Sequence, residues 1–163
     1  MKTETLSITK EAAQAAYTNA TEKQKTMLEN LFGKKNLLKD IMQRITCFDD
    51  ILKELEGDAE VTIYNAMIAA GITGHQLYYQ KIVLIAKALN EGWVPDWGNS
   101  SEYKYRPWFD MGGTSGSRFS YFDFDYDDSI SCVGSRLCFK TRALAEFAGK
   151  TFINEYKDFM LML

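Results

Sequence analysis

Charge of one sign is not in excess in this 163-residue sequence, where 19 Lys and Arg stand against 22 Asp and Glu for a formal net charge of −3. No global field therefore steers the chain onto nucleic acid or an anionic membrane, and only a local patch could do so. Histidine occurs once, as His75, so a Ser-His-Asp or Cys-His arrangement would have to use it. Its place just after Gly74, in the first turn of an expected helix, brings no nucleophile beside it. The three cysteines (Cys47, Cys132, Cys138) are odd in number and lack CxxC spacing, which argues against a disulfide framework or zinc site and fits a reducing, intracellular compartment. No stretch approaches the roughly 20 apolar residues of a membrane span. The opening MKTETLSITKEAAQAAY, with Glu4 and Glu11, lacks the apolar run of a signal peptide. The expectation is a soluble, unprocessed protein without cofactor, metal site or membrane partner.

Proline is scarce, with only Pro95 and Pro107 in the chain, and the first 57 residues hold glycine only at Gly33 and Gly57. Nothing there interrupts helix before those points. Thr9 is positioned to cap a helix from Lys10 to about Asn19, and Thr21 one that runs to Phe32 and stops at Gly33. Leu37, Leu38, Ile41, Met42 and Ile45 repeat at helical spacing. Thr46 with Asp49 reads as the cap of a short helix ending at Gly57. Val61, Ile63, Tyr64, Met67 and Ile68 form the next stripe, up to Gly71. Thr73 with Gln76 predicts a capping box for a helix through Asn90 that is apolar over most of its circumference and central to the core.

At Trp93 the composition changes. Both prolines and all three tryptophans lie in WVPDWGNSSEYKYRPWF, and Trp93 to Tyr126 holds eleven of the 22 aromatic residues. That density predicts sheet. Residues 103–111, 118–127 and 130–140 are three candidate strands of an antiparallel meander, joined by the GGTSGS loop and a turn near Asp128. Phe122, Phe124 and Tyr126 alternate together and are expected to face the core. Thr141 is placed to cap a long final helix whose stripe of Leu144, Phe147, Ala148, Phe152, Tyr156 and Phe159 packs on the sheet. The fold class read from the sequence is α+β: a helical module over 1–57, then an α+β domain over 58–163.

Several constellations could carry chemistry. Pro95-Asp96 followed by Glu102-Tyr103-Lys104 matches the linear PD-(D/E)xK signature of Mg²⁺-dependent nucleases, in which two carboxylates hold the metal and the lysine orients water. Five residues between Asp96 and Glu102 leave little room for the hairpin those enzymes use. A turn at Pro95-Asp96 with a solvated Lys104 is the plainer reading. Asp123, Asp125 and Asp127 alternate along one strand and share a face. As an EF-hand the sixth and twelfth positions would be Asp128 and Gly134, not Gly and Glu, so a paired acidic face opposite Arg136 and Lys140 is favoured over a cation site. The loop from Gly112 to Ser117 lacks the Lys-Ser/Thr of a phosphate cradle. Cys132 and Cys138 read as packing residues.

The aromatic cluster is the strongest functional signal. A three-stranded sheet has one face to bury against helices, and eleven aromatics exceed that need. Trp97, Tyr103, Tyr105, Trp108 and Tyr121, beside Lys104, Arg106 and Arg118, are the candidate binding residues, able to anchor a protein partner or stack on bases. The alternative is that Trp93, Trp97 and Trp108 fold back as a small core over the helix end.

The strings ALNEGWVPDW, SEYKYRPWF and CVGSRLCFKTRALAEFAGKTF followed by EYKDF, together with TKEAAQAAYTNATEKQKTMLENLFGKK and IMQRITCFDDILKELEG, carry a resemblance. They resemble proteins of unassigned activity encoded by phages, prophages and mobile elements of gut Bacteroides-type bacteria, including crAss-like phages. The likeness covers most of the chain and is weakest from Asp58 to Ala70. It implies a phage or prophage origin and a place in the bacterial cytoplasm or the virion. It brings no catalytic residues. The expected function is a non-catalytic accessory protein that binds a phage or host protein through its aromatic strands. A nucleic-acid-binding protein, a virion component and a nuclease are the alternatives.

Overall fold

In a computed structural model the described residues are 7–112 and 118–161, so five residues of the GGTSGS loop lie outside them. Among the described residues the protein is α+β, with nine helices and a two-stranded antiparallel sheet. The chain divides between Arg44 and Ile45, earlier than the expected boundary at Gly57. The reason lies in the helix after Cys47, whose Phe48 packs edge-on against Tyr64 (centroids 5.5 Å apart) and lies under Lys81, tying it to the helices that carry those two residues.

The first unit holds α1 (Lys10–Thr18), α2 (Glu22–Phe32), α3 (Lys34–Leu37) and α4 (Ile41–Arg44). The expected caps form. Thr9 Oγ1 accepts from the Ala12 N–H at 3.2 Å, and Gln24 Oε1 accepts from the Thr21 N–H at 2.9 Å. Gly33 ends α2 with a φ of +73°, a conformation that favours glycine. The apolar repeat from Leu37 to Ile45 does not form one helix. Asp40 accepts from the Met42 N–H at 2.9 Å and starts α4 afresh, while Arg44 donates to the carbonyls of Leu38 and Lys39 at 3.2 and 2.8 Å. Tyr17 donates to Glu29, and this hydrogen bond, with burial, pushes the phenol up to about 12.

The second unit begins with α5 (Phe48–Glu54) and α6 (Ala59–Ala69), which pack on α7 (His75–Asn90). The carboxylate at the start of α5 is Asp50, not Asp49. It accepts from the Thr46 N–H and hydroxyl at 3.0 and 2.7 Å. The capping box expected at Thr73 is absent, because Gly74 is the N-cap and has no side chain to offer. As expected, α7 is central. Ile82, Val83, Leu84, Ile85, Ala86, Ala88 and Leu89 are all buried, and α5, α6, α8 (Arg142–Thr151) and α9 (Ile153–Leu161) surround it.

The sheet consists of β1 (Lys104–Asp110) and β2 (Ser120–Asp127), with Lys104 opposite Asp127 and Pro107 opposite Phe124. The third strand expected at 130–140 does not form. Only Phe139 pairs with β1, exchanging hydrogen bonds with Tyr105 at 2.9 and 2.7 Å. Two residues on, Pro107 turns its backbone to the same side, and proline has no N–H to offer a third strand. The segment coils instead. Ser131 Oγ accepts from the Val133 and Gly134 N–H groups, and Gly134 has a φ of +67°. The side chain of Asn90, at the end of α7, takes the role of a strand neighbour by donating to the Cys138 carbonyl at 2.8 Å and accepting from the Lys140 N–H at 2.9 Å.

Thr141 caps α8 as expected, accepting from the Leu144 N–H at 3.3 Å. The final helix is two helices, however, broken at the buried Phe152 between the β-branched Thr151 and Ile153. The break lets α8 lie on the sheet while α9 packs on α7.

Candidate functional site

Residues directly opposite in an antiparallel pair share a face. The register therefore puts Tyr105, Pro107, Phe109, Tyr126, Phe124 and Tyr121 on the face that meets α8, and Lys104, Arg106, Trp108, Asp127, Asp125 and Asp123 on the other. Between Trp108 and Phe109 the register slips, leaving Phe122 as the extra residue of a bulge. Bulging turns Phe122 outward, and it is 72% exposed instead of facing the core. Tyr126 is also exposed, and only Phe124 of the three expected core residues is partly covered, beneath the Arg142 guanidinium at 4.1 Å.

Tyr103, Tyr105, Phe124 and Tyr126 form a ladder of rings, with Tyr103 and Tyr126 closest at 4.6 Å between centroids. Its Tyr103–Tyr126 end is exposed to solvent. Tyr121 is withdrawn from this surface. It packs against Pro107 and Gly149 under Lys150, and its hydroxyl is buried without a hydrogen-bond partner among the described residues. Trp108 is 55% exposed on the opposite face, and Arg118 is exposed beside Gly112.

Lys104 is not a surface cation. It is fully buried, with Nζ donating to the carbonyls of Asn99 (3.1 Å) and Glu102 (2.5 Å), 3.6 Å from the Glu102 carboxylate and 5.3 Å from the centroid of the Trp97 ring. Trp97 is pinned in turn by its indole N–H, which donates to Ser135 at 2.8 Å. The nuclease-like string is thus a loop staple. Asp96 accepts from the Gly98 N–H and Glu102 from the Asp96 N–H, each at 2.8 Å. The lysine ammonium is spent on backbone carbonyls rather than aimed at a shared opening.

Arg106 and the β2 aspartates form the other polar centre. Its guanidinium bonds Asp125 with one nitrogen and Asp127 with another, so the alternating acidic face is paired across the sheet with Arg106 and not with Arg136 and Lys140. Asp127 also accepts from the Ser131 hydroxyl at 2.6 Å. Burial disfavours the Arg106 charge, but the Asp127 hydrogen bond and the two carboxylate charges outweigh it and raise the pKa, holding the group cationic. Among the described residues no three His, Cys, Asp or Glu side chains group so as to hold a metal ion.

Four carboxylates, Asp123, Asp125, Asp127 and Asp128, stand on or beside β2, the first three on the face opposite the Tyr103–Tyr126 rings, and one guanidinium offsets two of them. The nearby cations Arg142 and Lys150 are both engaged with Glu146, at 2.5 and 3.2 Å. The bulge at Phe122 has a signal in the sequence, because the aromatic alternation changes phase there, from Phe119 and Tyr121 to Phe122, Phe124 and Tyr126.

No family model, curated protein or solved structure matches the chain. No helix among the described residues is long and apolar enough to cross a membrane.

Proposed function

We propose that this chain is a non-catalytic binding module that docks a basic protein partner on the aromatic and acidic hairpin of β1 and β2. The observation that carries the reading is the exposure of Phe122 at the bulge, on a strand that carries four aspartates on or beside it, two of them paired with Arg106. Exposed aromatic rings supply apolar contact area at small entropic cost. The acidic surround selects a partner of opposite charge and speeds encounter with it. β2 is the outer strand of the sheet, so an extended segment of the partner can also add to its edge.

The same charges weigh against the nucleic-acid alternative, because phosphate binding relies on cations that release counterions. Of the three cations expected to serve it, Lys104 is buried and Arg106 is neutralised by two carboxylates, which leaves Arg118 exposed. With the resemblance to phage and mobile-element proteins, the partner proposed is a phage or bacterial host protein, met in the cytoplasm or in the virion.

The test is affinity purification from phage-bearing cells with the wild-type chain and with a Phe122→Ser, Tyr126→Ser variant of unchanged circular dichroism. Recovery of one basic protein in stoichiometric amount, lost with the variant and weakened by salt, is expected. Recovery of nuclease-sensitive nucleic acid instead, or of a protein the variant retains, refutes the reading.

A further inference from the structure

The pairing of β1 fixes which backbone groups of β2 face away from it. Tyr105 spends both its N–H and its carbonyl on Phe139, on the side of β1 remote from β2. In an antiparallel ladder, a residue that turns its backbone groups away from the neighbouring strand stands opposite one that does the same. Tyr126, opposite Tyr105, and Phe124, opposite Pro107, therefore point their N–H and carbonyl groups at the open side of the sheet. Of these groups only the Phe124 N–H has a partner among the described residues. Asp123 folds back over the edge, and its carboxylate accepts that N–H at 2.9 Å. The edge is open to solvent, with Phe122, Asp123 and Tyr126 all exposed.

Charge decides what can pair there. Asp123 has no cationic partner among the described residues, and Asp125, with a side chain 30% exposed, shares Arg106 with Asp127. A second copy added antiparallel through the same edge would set aspartate against aspartate on one face, where like charges repel. A strand with Lys or Arg at alternate positions would set cations against that face instead. Its intervening residues would then lie beside Phe124 and Tyr126 on the other face, where apolar side chains fit. A carbonyl of the incoming strand would take over the Phe124 N–H and release the Asp123 carboxylate to one of those cations.

We propose that β2 takes up, as a third strand, an extended segment in which Lys or Arg alternates with apolar residues. This inference rests on the protein-docking reading and names the part of the partner that the hairpin recognises.

The probe is a peptide of alternating lysine and valine, eight residues long to match β2, titrated into the full chain. Its control has the same composition with the lysines and valines in two blocks. The alternating peptide is expected to bind at least about tenfold more tightly, because it alone matches both faces at once. At saturation, amide exchange read by NMR should slow at Tyr126. Asp123→Asn, which keeps an acceptor for the Phe124 N–H, should weaken the peptide about threefold and reduce its salt dependence. Equal binding of the two peptides, unchanged exchange at Tyr126, or unchanged affinity in Asp123→Asn overturns the proposal. So does a dimer of the free chain in sedimentation equilibrium that Tyr126→Pro dissolves, since that substitution removes an outward N–H without touching the bonds to β1 and would assign the edge to a second copy. If the proposal falls in any of these ways while affinity purification still recovers a basic protein lost with the Phe122→Ser, Tyr126→Ser variant, the docking reading stands without strand addition.

Discussion

Gly149 of α8 lies so close to Tyr121 of β2 that a Cβ built at position 149 would stand 2.6 Å from Tyr121 Cδ2 and 2.8 Å from Pro107 Cβ. Helix propensity alone would favour alanine there by about 1 kcal/mol. Overpacking costs about 1–3 kcal/mol and acts in the opposite direction. Gly149→Ala should therefore lower the urea midpoint despite better intrinsic helicity, with a net loss of about 1 kcal/mol. A midpoint at or above wild type would mean that α8 can step back from the sheet.

Lys104 gives a second prediction. Its ammonium is bonded to two carbonyls in a place with no access to water. Lys104→Ala should destabilise the protein by about 3 kcal/mol, since it removes the donor from two partly buried carbonyls and leaves a cavity beneath Trp97. Lys104→Met, which keeps the volume, should recover part of that loss. Equilibrium urea unfolding of the two variants separates the packing share from the polar share.

Asp58 caps α6 by accepting from the Glu60 N–H at 2.8 Å, and it pairs with Lys87 at 2.7 Å. The Lys87 hydrogen bond, then the Glu60 N–H, hold its carboxyl below the usual range. A lowered folded-state pKa contributes stability above the unfolded value and loses it as the pH falls through the folded one. Asp58→Ala should cost about 1 kcal/mol at neutral pH, an N-cap magnitude discounted for an exposed ion pair. The gap between variant and wild type should close as the pH drops below the ordinary aspartate value of about 3.9. A constant gap across acid denaturation would assign the effect to packing.

The three thiols should differ in reactivity. Cys47 and Cys132 are exposed, whereas Cys138 is fully buried and its thiol is pushed up to about 11, chiefly by burial. At pH 8 iodoacetamide should label the first two within the folded protein and Cys138 only after denaturant is added, as read peptide by peptide in a mass spectrometer. Labelling of Cys138 at a comparable rate in the native protein would show that the core around Phe139 opens freely.

The local chemistry of helix starts was legible in the sequence. Thr9, Thr21 and Thr141 cap where a hydroxyl before an apolar periodic run indicates, because capping depends on three or four consecutive residues. The α+β class and the central helix up to Asn90 were legible for the same reason of periodicity. The sheet was less so. Strand alternation in 130–140 is outweighed by two tertiary facts, the missing N–H of Pro107 on the neighbouring strand and the reach of Asn90 from α7. Phe122 and Phe124 share one alternation, and the bulge opposite Trp108 and Phe109, at the adjacent aromatics Tyr121 and Phe122, separates them. For the candidate site, Tyr103 and Tyr105 stand in a ring ladder that also takes in Tyr126, a residue the alternation had assigned to the core. The burial of Lys104 did not show, because an Asn99 carbonyl and a Trp97 ring close over it only once the loop has folded.

The missing N–H of Pro107 also limits how copies of this protein can associate. Strands that add to one another need two compatible edges to propagate, and here Phe139 and a proline close one of them. Edge-to-edge pairing is then left to β2 alone, and pairing through a single edge joins two molecules at most and does not propagate into a fibre.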